Sequence, residues 1–195
     1  PAWRQWFNLR RALLDVRALM DNGKELALLN THLSAFSNND GTLFEQVGQI
    51  DHHLMALERA GVAWVLGGDF NALPPGDGYE RLAAEGASYG PETPMTKLYD
   101  RYTPIWSERA LRDAPEAIRT YLPFGASEPD RTIDYGFVGR EVTLLGAEVL
   151  QERDISDHLP FVIRMALEPR ATASAPETPK VVPGAKVPAL SLIHI

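Results

Sequence analysis
The stretch Val62-Ala-Trp-Val-Leu-Gly-Gly-Asp-Phe-Asn71 constrains this chain more than any other. Val62 to Leu66 is a continuous apolar run, which predicts a strand buried on both faces. Gly67 and Gly68 let the backbone pass close to a neighbour. Asp69 and Asn71 then stand two apart, and in extended chain such residues share a face while Phe70 points into the core. Pro74, Pro75 and Gly76 end the element. A carboxylate and a carboxamide leaving a buried α/β strand together mark a place where such folds put chemistry. The same residues also suit a strand end closed by an Asx-turn.

The segments around this strand predict an α/β fold. Ala12, Leu14, Val16, Ala18 and Met20 alternate with Asp15 and Arg17, which predicts a half-buried strand with its apolar face inward. Asp21-Asn22-Gly23 predicts a hairpin turn. A second strand over Leu26 to Leu29 runs into Asn30-Thr31-His32-Leu33, so His32 falls at or just past a strand end. Thr42-Leu-Phe-Glu45 reads as a capping box opening a helix. Leu43, Val47, Ile50, Leu54 and Leu57 give that helix one apolar stripe, and Gly61 ends it. His52 and His53 read as non-ligands, at least one of them solvated. Strand, helix and strand in this order make a crossover unit.

Farther on, a short helix is expected over Gly78 to Glu85. The segment from Pro91 to Asp130 has no sustained period. Its Lys97, Arg101 and Arg119, with Arg131, stand among aromatic residues. They suit either an anion-binding surface or ordinary loops pinned by aromatic anchors, with Glu108 to Arg112 as a helical turn. Thr132 to Val138 alternates, which makes Asp134 either an edge-strand residue or a buried, partnered carboxylate. Val142 to Leu150 is apolar, Ser156-Asp157-His158-Leu159-Pro160 is a loop, and Phe161 to Met165 is a last strand.

The chain's 195 residues suffice for one domain with a real core. No apolar run reaches transmembrane length. The net charge of -7 disfavours, without forbidding, a nucleic-acid partner. There is no cysteine, hence no disulfide and no thiolate metal site. A monomer is expected, and the compartment, cytoplasmic or exported, is left open. Residues 1–167 read as the domain and 168–189 as a disordered Pro/Ala-rich tail. Residues 190–195 look like the translation of a sequencing adaptor and are set aside from the fold.

Four polar sites therefore lie near strand ends: His32, Asp69 with Asn71, Asp134, and Asp157 with His158. Converging on one rim, they would form a hydrolase-type set. Their oxygen donors suit Mg²⁺ or Mn²⁺ better than zinc.

Asn30-Thr-His-Leu33, Gly68-Asp-Phe-Asn71, Thr132-Ile-Asp-Tyr135 and Ser156-Asp-His158 occur in the order, and near the spacing, of the endonuclease/exonuclease/phosphatase superfamily, which the chain resembles from about Arg11 to Met165. The resemblance implies a four-layer α/β sandwich that hydrolyses phosphate esters with a divalent metal, most simply as a phosphodiesterase. A nucleic-acid endonuclease is the alternative within the superfamily, and a non-catalytic fragment or binding module is the alternative outside it.

The resemblance also implies roles. Asp157 would be a metal ligand. Asp69 would position or deprotonate the attacking water near the metal, and Asn71 would contact the phosphate or the metal. His158 would be the catalytic histidine, oriented by Asp134. His32 would contact the phosphate or protonate the leaving group. The family's opening strands and its metal-binding Glu have no counterpart before Arg11. An N-terminally incomplete domain, weak as an enzyme in this form, is therefore expected.

Overall fold
The structure, a computed structural model, describes residues 11–21, 23–35, 41–76, 79–82, 89–167 and 191–194. The expected 168–189 tail and half of the expected Gly78–Glu85 helix lie outside them; Tyr79 to Leu82 form turns.

Strands β1 (Ala12–Leu19) and β2 (Glu25–His32) form an antiparallel hairpin. Of the predicted turn, Asn22 lies outside the described residues, and Gly23 takes φ +74°. Helix α1 (Thr42–Ala60) carries the chain across to β3 (Ala63–Asp69), which pairs in parallel with β2. Then come α2 (Met95–Tyr99), β4 (Thr103–Pro104), α3 (Glu108–Asp113) and a 3₁₀ turn at Pro115–Ile118. Strands β5 (Asp134–Val138), β6 (Val142–Val149), β7 (Phe161–Leu167) and β8 (Ser191–His194) complete the described elements. The larger sheet runs β4-β5-β3-β2-β1-β8, and β6 and β7 make a second sheet.

Each face of the larger sheet has its own cover. The predicted stripe of α1 is buried against Ala27, Leu29, Trp64, Leu66 and Phe70. On the opposite face, Leu26, Ala63, Val65 and Val138 meet Leu144, Ile163, Met165 and Leu167 of the β6–β7 sheet. Helix, sheet and sheet thus follow as layers, an α/β arrangement consistent with the expected sandwich.

Three expectations change. The capping box does not form: Gly41 is the N-cap at φ +85°, which puts Thr42 inside the helix and Glu45 one position too far along to close the box. The inward face of β1 is also reversed. Leu13 and Asp15 are buried toward α1, whereas Ala12, Leu14, Val16 and Ala18 are only half-buried on the other face. Helix-side partners for Asp15 decide this, because a buried carboxylate is tolerated once paired. Finally, residues 191–194, set aside from the fold, pair with Ala12–Asp15 as β8.

Candidate active site
Strand register builds the site. His32, Asp69 and Asp134 are lateral partners on β2, β3 and β5, so their side chains form one row on one face. All three lie at strand ends, on the face that the second sheet covers farther along. The row behind is Asn30, Gly67 and Gly136. A Cβ at Gly136 would stand 2.8 Å from Ile163 Cδ1, and one at Gly67 would touch the Phe161 ring at 3.8 Å. The two missing side chains let β7 settle onto the sheet, and the loop entering β7 brings His158 over the polar row.

Gly68 is required for a different reason. It takes φ +149°, and a Cβ there would lie 2.0 Å from the Thr31 carbonyl oxygen. Asn71 sits at φ +49°, a left-handed conformation that Asn tolerates better than most residues. Its proximity to Asp69 therefore comes from a turn, not from the strand alternation expected from sequence. The Asn71 amide donates to Asp69 Oδ1 at 2.8 Å, an Asx-turn. Its Nδ2 donates to Asp69 Oδ2 and to the Leu33 carbonyl, both at 3.1 Å. The Asp69–Asn71 turn is the Asx-turn that the sequence also suits at this strand end.

His158 Nδ1 lies 2.9 and 3.1 Å from the two oxygens of buried Asp134. A carboxylate only accepts, so the proton is on Nδ1 and Nε2 faces the row, 3.9 Å from Asp69 Oδ2. His32 Nε2 is 3.3 Å from the same Asp69 oxygen. Burial, followed by the neighbouring Asp134 charge, pushes the Asp69 pKa above its ordinary value, against the Asn71 amide and the two histidines. The hydrogen bond to Asp134 raises the His158 pKa, with burial opposing and the charges of Asp134, Asp69 and Asp157 adding.

The structure thus brings His32, Asp69, Asn71, Asp134 and His158 together. Among the described residues, the ligand atoms of Asp69, Asp134 and His158 lie within 4.8 Å of one another, an arrangement able to hold a cation. Asp157 is not in that group. It is exposed, its carboxylate accepts from Ser156 Oγ at 3.2 Å, and its backbone carbonyl accepts from the Leu122 amide at 2.7 Å. The arginines of the aperiodic segment, with Arg131, are each paired within the fold. Arg131 is buried on Asp130 with the rings of Tyr89 and Tyr121 over it, Arg119 meets Glu116, and Arg101 meets Asp51.

Thr120 escaped the sequence reading, and Tyr121 entered it only among the aromatic residues of the aperiodic segment. Thr120 is fully buried, and its hydroxyl accepts from the amides of Ile133 and Asp134 at 3.3 and 3.2 Å. Its carbonyl accepts from the Leu159 amide at 2.7 Å. One residue thus ties the backbone of Asp134 to the loop of His158. The Tyr121 ring packs edge-on against His158 at 5.2 Å. A Thr-Tyr pair in an aperiodic segment carries no signal that would reveal this role.

Residues 12–158 match the model of the Endonuclease/Exonuclease/phosphatase family. Among solved structures, an endonuclease/exonuclease/phosphatase from Beutenbergia cavernae DSM 12333 is 25% identical with a TM-score of 0.52, covering 85% of this chain and 42% of that one. The Xenopus laevis APE2 catalytic domain is 17% identical with a TM-score of 0.56, covering 85% and 58%. D. rerio TDP2, complexed with a single strand DNA product, is 17% identical with a TM-score of 0.54, covering 80% and 62%. This chain thus spans between 42% and 62% of the length of those three. No curated protein matches it. With the family model spanning all four polar strand ends, the chain belongs to the endonuclease/exonuclease/phosphatase family, whose members hydrolyse phosphate esters.

Proposed function
We propose that this chain carries the site of a divalent-metal-dependent phosphodiesterase that works by in-line attack of a positioned water. The observation behind the reading is the lateral row His32–Asp69–Asp134, with His158 fastened to Asp134 above it.

The donor set fits a hard cation. Burial, and then the facing Asp134 carboxylate, raise the Asp69 pKa, a condition that a dication relieves. Asp69 would hold the ion with the carboxamide oxygen of Asn71, whose nitrogen is already committed to Leu33 and Asp69. Asp134 lies at its edge, and Asp157 contributes more weakly from its exposed loop. Mg²⁺ or Mn²⁺ would supply Lewis-acid polarisation of the phosphoryl oxygens.

The protein's own groups do the rest. Asp69 orients the attacking water and accepts its proton. His158, held at Nδ1 by Asp134 and favoured as the imidazolium by that bond, donates its Nε2–H to the anionic oxygens as charge develops. His32, the more exposed imidazole, delivers a proton to the departing oxygen. This division of labour is phosphoryl transfer by positioning and charge neutralisation. The net charge of -7 places small diesters ahead of long nucleic acids as substrates.

The test is hydrolysis of a chromogenic aryl phosphodiester during Mg²⁺ and Mn²⁺ titration. Turnover should rise to saturation, vanish with a chelator and return on re-addition. Hydrolysis indifferent to the chelator would overturn the reading.

A further inference from the structure
At the end of the sheet away from the catalytic row, three arginines line one cleft. It measures about 370 Å³ and is lined by Met55, Glu58, Arg59, Arg101, Tyr102 and Arg140, among others. Asp69 ends β3 and Asp134 begins β5, whereas this cleft lies by Val138, at the far end of β5. Seven residues of β3 put the two ends roughly 20 Å apart.

Two of the arginines are held in place from below. Arg101 Nη1 reaches Asp51 Oδ2 at 3.1 Å, and Asp51 is itself fixed by the Tyr102 hydroxyl at 2.9 Å. Arg140 Nε bonds Glu58, which also accepts from Trp64 Nε1 at 3.0 Å and from the Arg140 amide at 3.1 Å. A guanidinium carries five donors, so each of these anchors leaves a fork of N–H groups for a ligand. Arg59, in the last turn of α1, makes no hydrogen bond or ion pair among the described residues. In a chain of net charge -7, three arginines around one hollow run against the average composition.

We propose that this cleft is a second anion site, separate from the catalytic one, and that it takes a small phosphate-bearing anion. The anchored forks of Arg101 and Arg140 match phosphate oxygens in geometry, and Arg59 supplies the uncompensated charge. Two of three positive charges are offset by Asp51 and Glu58, so a multiply charged oxyanion is favoured over a monocarboxylate.

The experiment uses the full chain without divalent metal and pyrophosphate as probe, so it does not depend on catalysis. Calorimetry reads the affinity. The Trp64 indole N–H resonance, identified by its loss in Trp64→Phe, reads the place, because that N–H bonds Glu58 at the cleft floor. Pyrophosphate should bind at one site and move the Trp64 resonance. Arg59→Gln should weaken it roughly tenfold, the scale of one charge-assisted contact. The Arg59→Gln/Arg140→Gln double variant should abolish it, and His32→Ala should leave it unchanged. Absence of binding, binding indifferent to Arg59→Gln, loss of binding in His32→Ala, or a fixed Trp64 resonance would each overturn the proposal.

Discussion

Two aspartate–histidine pairs on opposite faces of the larger sheet have almost the same contact distance. Asp15 meets His53 at 2.9 Å under α1, and Asp134 meets His158 at 2.9 Å on the rim. Their surroundings differ in charge. Asp15 also receives the Arg17 fork at 2.5 and 2.8 Å. Burial alone would raise its pKa, but the hydrogen bonds and charges of Arg17 and His53 overcome that and hold it below the ordinary carboxylate value. Beside Asp134 stands a second carboxylate, Asp69, whose pKa goes the other way. A compensated pair locks a helix to a sheet, whereas an uncompensated one keeps charge for a ligand. The hydrogen bond itself does not tell the two apart; the third group does.

The widest separation should appear in turnover. His158→Ala and Asp134→Asn should each lower kcat/KM by roughly 10²–10⁴-fold, the scale of a positioned acid or base. His53→Ala should leave it within about twofold while lowering the melting temperature. Equal losses of activity from His53→Ala and His158→Ala would erase the distinction.

Asp69→Asn carries the contrast into stability. It should abolish metal-dependent turnover, yet raise the melting temperature of the metal-free protein, because it removes a half-buried charge next to Asp134. The signs with pH are opposite on the two faces. Asp69 holds its proton more firmly when folded, so metal-free stability improves as pH falls from its raised value toward 3.8. Asp15 contributes stability that is present above about 3.8 and is lost as pH falls through its lowered folded value.

Asp15→Ala should therefore cost roughly 1–3 kcal/mol at neutral pH, moderated because Arg17 keeps Glu25. It should also flatten the acid limb of the stability curve measured by denaturant titration. An acid limb unchanged from the wild type would show that the Asp15 pair contributes nothing to it.

The smallest effect belongs to the residue that serves the rim pair from behind. Thr120→Val keeps the shape but leaves the amides of Ile133 and Asp134 without their acceptor. A loss of about 1–2 kcal/mol in stability and roughly tenfold in turnover is expected, with Thr120→Ser restoring both. Turnover that stays normal in a destabilised Thr120→Val would separate Thr120 from the site.

These contrasts show what a linear reading can reach. The helix stripe from Leu43 to Leu57, the buried β3 run and the polar strand ends were legible because each repeats or interrupts a period within a few residues. The face of β1 was not, because Asp15 is buried by partners at positions 17 and 53, and alternation alone ranks a charge as outward. The Asp69–Asn71 turn was legible as the Asx-turn that Asp and Asn two apart at a strand end allow. Thr120 was illegible because its meaning lies in two loops that meet only after folding. The expected disorder of 168–189 falls outside the described residues.

The paired glycines of β3 and β5 also act as a height adjustment. Phe161 and Ile163 rest where Gly67 and Gly136 have no side chains, and His158 stands only three residues before Phe161, in the loop that enters β7. The elevation of the imidazole above the aspartates is thus set by packing volume several residues away. A methyl group at Gly136 would act as a shim beneath β7 and lift the histidine from its carboxylate without touching either residue. Residues that never meet a substrate would then tune the site, and variants designed at the second sheet could change turnover in graded steps where substitutions in the row abolish it.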